Sequence, residues 1–276
     1  MIYLIAAILC SSGVTLTLRF SKEDKDSQVM LAVNYIVAAL FCLLFMKERA
    51  VMPDTPDKQL AFALGVINGV LFLVTLVVNR VNIRRNGTPL TASFSHLGVL
   101  IPVIFSMIIF GEQPTGKQWL GVALALAAIL IINLTPAKGE RAKFPLGLVL
   151  LFTLGGCTDM MSKIFEKQSI PQCDNLFLFY TFMVAFFICV LWAAIKNTKI
   201  RREAVIYGLL LGVFNYFSSW LLLKSVMVLP AFLAYPMYSV GVIVVINIIN
   251  RFFLKEEISK WQYVGMGIIC LSLLFL

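Results

Sequence analysis

The feature that most constrains this chain is its succession of uninterrupted apolar runs, at 2–20, 29–47, 59–80, 88–110 and 116–135, then 146–166, 175–195, 204–226, 229–254 and 261–276. A helix of roughly 20 apolar residues spans the hydrocarbon core of a bilayer, and in lipid the backbone must satisfy its own hydrogen bonds. A barrel would need segments of about ten residues that alternate apolar and polar, and these runs do not alternate. The expectation is an all-α integral membrane protein with ten transmembrane helices. Composition agrees: 60% of the 276 residues are hydrophobic and 13% charged, against about 25% charged in a soluble domain. Short loops leave no room for a soluble domain, so the function must be carried out within the membrane. The first run, from Met1, lacks a basic start and a small-residue cleavage site, and reads as a span rather than a removable signal.

The breaks between runs carry the charge: SKEDKD, KERAVMPDTPDK, RRNG, GEQPTGK and the linker PAKGERAKFP. The net charge of +9 therefore fits short loops facing a leaflet and not nucleic acid, because no basic stripe or aromatic platform accompanies it. By the positive-inside rule its concentration in odd-numbered loops favours both termini outside. The six cysteines show no CxxC spacing, and a single histidine excludes paired-His metal sites, so neither metal nor cofactor is expected. GEQPTGKQ at 111–118 fits GxxxxGK, but Gln118 stands where a phosphate loop needs Ser or Thr and no strand precedes it. No enzyme signature remains. Trp119, Trp192, Trp261 and Tyr263 fall at run ends, where amphipathic rings favour the interface.

The two halves repeat. GEQPTGKQWLG at 111–121 aligns with KEEISKWQYVG at 255–265, pairing Glu112 with Glu256, Trp119 with Tyr263 and Gly121 with Gly265 at an offset of 144. Gly65 and Gly69 pair with Gly208 and Gly212, Arg19 with Lys163, and Arg80 with Lys224. The reading is a first five-helix repeat at 1–137, a linker at 138–144 and a second repeat at 145–276. Five is odd, so the second repeat enters from the opposite side, and two inverted five-helix repeats are the architecture of secondary transporters.

Each half resembles one unit of the drug/metabolite transporter superfamily in its ten-helix EamA-type branch. The carriers of that resemblance are a small-residue first helix ending in a basic residue (SSGVTLTLR; GGCTDMMSK), a GxxxG third helix with a basic residue near its end (GVINGVLFLVTLVVNR; GLLLGVFNYFSSWLLLK), and an acidic end to the fourth helix (FGEQPTGKQWLG; LKEEISKWQYVG). Prolines depart from the family pattern: Pro102 lies about a turn later than usual and Pro236 near the start of its span. The resemblance implies transport of a small molecule and places both termini inside.

Polar residues inside spans are costly and face a bundle interior or a watery path. In the first span Ser12, Thr15 and Arg19 share a face, and in the sixth Gly156, Asp159 and Lys163 do. Arg19 and Lys163 attract an anionic group or snorkel to the headgroups. Lys163, four residues after Asp159, is expected to pair with it, while Asp159 is the strongest coupling or substrate candidate. Asn68, Thr75 and Asn79 share a face of the third span with Arg80 adjacent; Asn215 and Ser219 follow two glycines in the eighth, before Lys224. The glycines read first as close packing. His96 in the fourth span titrates near neutrality when unperturbed, and Tyr235 and Tyr238 share a face of the ninth. These residues predict a secondary transporter for a small polar or amphipathic metabolite, amino-acid-like or anionic. Protons are a possible coupling ion and the fifth and tenth spans a possible homodimer surface, in a bacterial inner membrane. A proton-coupled multidrug efflux pump is the alternative; Lys163 beside Asp159 argues against a cation pump, and a lipid-modifying enzyme would need clustered acids or histidines.

Overall fold

The computed structural model describes residues 1–21, 27–46, 51–86, 88–133, 144–168, 171–252 and 260–275. Among them every regular element is helical: α1 (Ile2–Phe20), α2 (Ser27–Phe45), α3 (Pro56–Asn86), α4 (Thr88–Leu97), α5 (Leu100–Phe110), α6 (Gly116–Asn133), α7 (Pro145–Gln168), a 3-10 turn (Pro171–Cys173), α8 (Asp174–Ile195), α9 (Arg202–Val228), α10 (Ala231–Phe252) and α11 (Lys260–Phe275). Among the described residues six helices are long and apolar enough to cross a membrane, and Ile2–Leu18, Phe94–Phe110 and Gly116–Ile131 are shorter apolar stretches. Large side chains such as Ile2, Leu44, Ile108, Phe187 and Ile195 are exposed. In water such a surface would aggregate, whereas lipid solvates it.

Two features depart from the expected spans. The apolar stretch of the third span ends at Asn79, but the RRNG break does not end the helix, and α3 runs on to Asn86. Asn86 donates to the Phe144 carbonyl (3.0 Å) and accepts from the Phe144 amide (2.8 Å), and the Arg85 guanidinium lies 4.8 Å from the Phe144 ring centre. These bonds satisfy the extension's end against the start of α7. The fourth span is divided into α4 and α5 at Gly98–Val99. Pro102 explains the division: it has no N–H to offer the Gly98 carbonyl four residues back, and its ring crowds that carbonyl. Gly98 O instead accepts the Ile101 amide at 3.0 Å, in a tighter turn.

The chain packs as two compact units, Met1–Leu73 with Ile164–Ser225 and Val74–Lys163 with Val226–Leu276. Each draws helices from both sequence halves. In the first unit, glycines set the packing. A Cβ on Gly69 would stand 2.6 Å from the Thr181 carbonyl oxygen of α8, and one on Gly212 2.6 Å from the Val37 Cβ of α2 and 2.7 Å from the Asn34 carbonyl oxygen. Gly65 meets α8 and Gly208 meets α2 in the same way. The glycine pair on α3 therefore seats a helix of the other half, and so does the pair on α9. Gly69→Ala and Gly212→Ala are expected to lower stability by about 1–3 kcal/mol each through overpacking. Gly267→Ala, where nothing lies within 4 Å, is expected to be neutral or stabilising. Chemical unfolding in mild detergent measures the contrast.

The second unit has its core at Ala125, Ala128 and Ile129 of α6 and Val240 and Ile243 of α10, with Leu97, Val244 and Ile268 packed against it. Small α6 residues let the α10 side chains approach closely, as apolar interfaces in lipid require. Along α7 and α3, Asn82 donates to the carbonyls of Gly147 (2.8 Å) and Val78 (2.9 Å) and accepts from Asn86 (2.8 Å). α4 and α5 meet α7 almost backbone to backbone: a Cβ on Gly156 would lie 2.5 Å from the Gly98 carbonyl oxygen.

Candidate functional site

Among the described residues of the second unit, a buried ion pair lies where α5, α7 and α10 come together. Gly111, with φ 66°, ends α5 in the left-handed conformation that glycine adopts without strain. That turn throws Glu112 toward α10. One carboxylate oxygen lies 2.8 Å from Lys163 Nζ on α7, and the other accepts the Ala231 amide at 2.9 Å, at the first position of α10. Lys163 is 1% exposed, so its charge is tolerable only because it is paired. The α10 N-terminus adds its own positive end to the field that holds the carboxylate. Burial pushes Glu112 upward in pKa, but the Lys163 hydrogen bond and charge, with the Ala231 amide, outweigh it and hold the group below its ordinary range.

Lys163 thus takes Glu112 as its ion-pair partner rather than Asp159, one turn back on its own helix. Asp159 is half-buried in α7. Its main-chain carbonyl accepts the Tyr235 hydroxyl of α10 at 2.7 Å, and the neighbouring Thr158 hydroxyl lies 3.5 Å from that of Thr75 on α3. Three elements therefore converge at this level. Two glycines just before Asp159 behave oppositely: Gly156 is packed on Gly98, whereas a Cβ on Gly155 would meet only the Thr75 methyl at 4.0 Å. Gly155 and Asp159 are four apart and share a face, so the acid stands on the roomy side of α7.

The first unit pairs its charges in the same manner. Lys224 Nζ lies 2.6 Å from Asp174 Oδ2, which also accepts the Trp220 indole N–H at 3.2 Å. Asp174 opens α8, where its other oxygen accepts the Asn175 amide at 2.8 Å. Asn175 accepts from Tyr216 at 2.9 Å and donates to the Phe45 carbonyl at 3.2 Å. Deeper in the spans, Asn68 donates to Thr181 at 3.4 Å and Asn215 to Asn34 at 3.1 Å. These two bonds run along the same α3–α8 and α9–α2 contacts that the glycines create.

The sequence candidates therefore separate. Asp159, Lys163 and Tyr235 share the second unit's polar region; Asn68, Asn215 and Lys224 are bound into the first unit's interhelical bonds. Thr15 is exposed, with its hydroxyl on the Ser11 carbonyl. Asn79, His96, Ser219 and Tyr238 are half-buried. The side chains of Arg19 and Arg80, the linker residues 138–143 and Glu256 lie outside the described residues. Glu112, Asp174, Asn34 and Thr181 were not singled out from sequence as site residues. Glu112 stood in plain sight as a marker of the repeat, and Asp174 carried the signal of an acidic residue in the first turn of a helix that follows Pro171. No group of three or more His, Cys, Asp or Glu able to hold a metal ion occurs among the described residues.

The model of the EamA-like transporter family matches residues 1–134 and again 145–276. The chain belongs to the EamA-like transporter family. Its family is one of membrane transporters of the drug/metabolite type, which accounts for the span-length helices and for polar side chains held inside them. An uncharacterised protein of Haemophilus influenzae is 26% identical to this EamA-like chain over 286 residues, covering 99% of it and 96% of the relative. A crystal structure matches the fold with a TM-score of 0.78 at 11% identity, covering 99% of this chain and 94% of the other.

Proposed function

We propose that the chain is a secondary active transporter that moves a small polar or amphipathic solute, amino-acid-like in character, across a bacterial inner membrane by alternating access. Its ten spans form two inverted five-helix halves. The observation that carries this reading is the separate match of each half to one transporter family. Buried polar groups inside the helices support it, because polar side chains at membrane depth mark solute paths by default. Reconstitution into liposomes, with a panel of labelled amino acids, amines, carboxylates and sugars, tests the reading. Saturable uptake or counterflow of at least one class is expected, and a flat response to the whole panel would overturn it.

One observation favours the second reading, proton-coupled efflux: the Asp159 carboxylate is not committed to Lys163. Under that reading Asp159→Asn lowers gradient-driven accumulation by at least about tenfold, as loss of a charged intramembrane partner does, while equilibrium exchange persists. Accumulation equal to the wild type would exclude Asp159 from coupling.

A further inference from the structure

The two lysines that the sequence offers as anion receptors are both engaged by internal carboxylates, Lys163 by Glu112 and Lys224 by Asp174. Asp159 is in the opposite position. Its carboxylate makes no ion pair or hydrogen bond with any described residue, although the residue lies in the interior of a 24-residue span. A bare carboxylate there is expensive and takes up either a counter-charge or a proton. The sequence argument against a cationic cargo was that Lys163 would neutralise Asp159, and the structure gives Lys163 to Glu112.

Space and shape point the same way. Gly155, one turn before Asp159 on the same face, has a Cβ position open but for the Thr75 methyl at 4.0 Å, while Gly156 on the neighbouring face is closed by backbone. Thr75 borders that opening, and its hydroxyl lies 3.5 Å from that of Thr158, which donates to the Leu154 carbonyl at 2.9 Å. Tyr235 fixes the helix at this level by holding the Asp159 carbonyl, not its side chain. The acid thus keeps its hydrogen-bonding capacity for a ligand.

We infer that the Gly155–Asp159 face of α7 is a binding site for an organic monocation, with an ammonium group of the solute seated on the Asp159 carboxylate beside the Thr75 and Thr158 hydroxyls. This rests on the transport reading and narrows it to amine-bearing solutes, zwitterionic amino acids included. A charged hydrogen bond in a water-poor site supplies the recognition, and the missing Cβ of Gly155 supplies room.

The test is equilibrium binding to the full chain in nanodiscs with three probes of one shape: phenethylammonium, phenethyl alcohol and phenylacetate. The ammonium probe is expected to bind at least about tenfold tighter than the other two, the equivalent of one charged contact. Asp159→Asn should remove that preference and Asp159→Glu retain part of it. Gly155→Leu should block the probe, with an unfolding midpoint like that of the wild type showing that the fold survives. Preference for phenylacetate, or ammonium binding unchanged in Asp159→Asn, would overturn the inference. The two claims separate in liposomes: if the ammonium probe binds through Asp159 but no solute of any class crosses, the transport reading fails and the site stands. If carboxylates cross while Asp159→Asn changes nothing, the site fails and transport stands.

Discussion

Lys163→Met and Glu112→Ala are each expected to destabilise the protein by about 3–5 kcal/mol, because each removes one half of a buried ion pair. Lys163 is 1% exposed and its partner carboxylate also caps α10. Removing the carboxylate therefore takes the ion-pair acid from a buried ammonium and the acceptor from a helix-terminal amide together. The double variant Glu112→Gln/Lys163→Met is expected to recover most of the loss, since it removes both charges and leaves an amide to accept from Ala231. Denaturant unfolding of the four proteins closes the cycle, and additive single losses would show that the pair is not a unit. The same pair sets a pH dependence. Glu112 is held below its ordinary pKa in the folded protein, so its contribution is complete above the unfolded carboxylate range and is lost as pH falls through the lower folded value. Wild-type stability should fall with acid more steeply than that of the double variant.

Asn82→Leu is expected to cost about 2–4 kcal/mol, whereas Asn68→Leu should cost less than about 1 kcal/mol. Both asparagines are buried in α3 and both bond across to a helix of the other half. The difference lies in satisfaction. Asn82 donates twice, at 2.8 and 2.9 Å, and accepts from Asn86, so its removal leaves the Gly147 carbonyl and the Asn86 amide short of partners. Asn68 makes one long bond at 3.4 Å while its oxygen has no partner. Exchanging it for leucine removes an orphan as well as a bond. Equal losses at the two positions in chemical unfolding would contradict this account.

The fold was legible because lipid imposes a simple rule on sequence: apolar runs of span length are helices. Glycine spacing announced close packing at Gly65, Gly69, Gly208 and Gly212, and the structure shows backbone and Cβ contacts at each. What the sequence did not disclose was the partner. An i,i+4 spacing made Asp159 the natural mate of Lys163, yet Glu112, far away in sequence, wins through the Gly111 turn and the added pull of the α10 terminus. The division of the fourth span was readable in principle from Pro102, since the carbonyl it deprives belongs to Gly98. Packing units were harder. A repeat is visible as similarity along the chain, but which helices pack together depends on contacts between halves that no local pattern encodes.

The proposed alternating access requires the two halves to have opposite orientations, and side-specific labelling tests that most directly. Single cysteines at Gln113 and Lys260, in a background with the native cysteines replaced, report the turns before the last span of each half. In intact cells a membrane-impermeant maleimide should label one of these positions and leave the other protected until the membrane is opened. Labelling of both from the same side would contradict inverted repeats, and with them the alternating-access account.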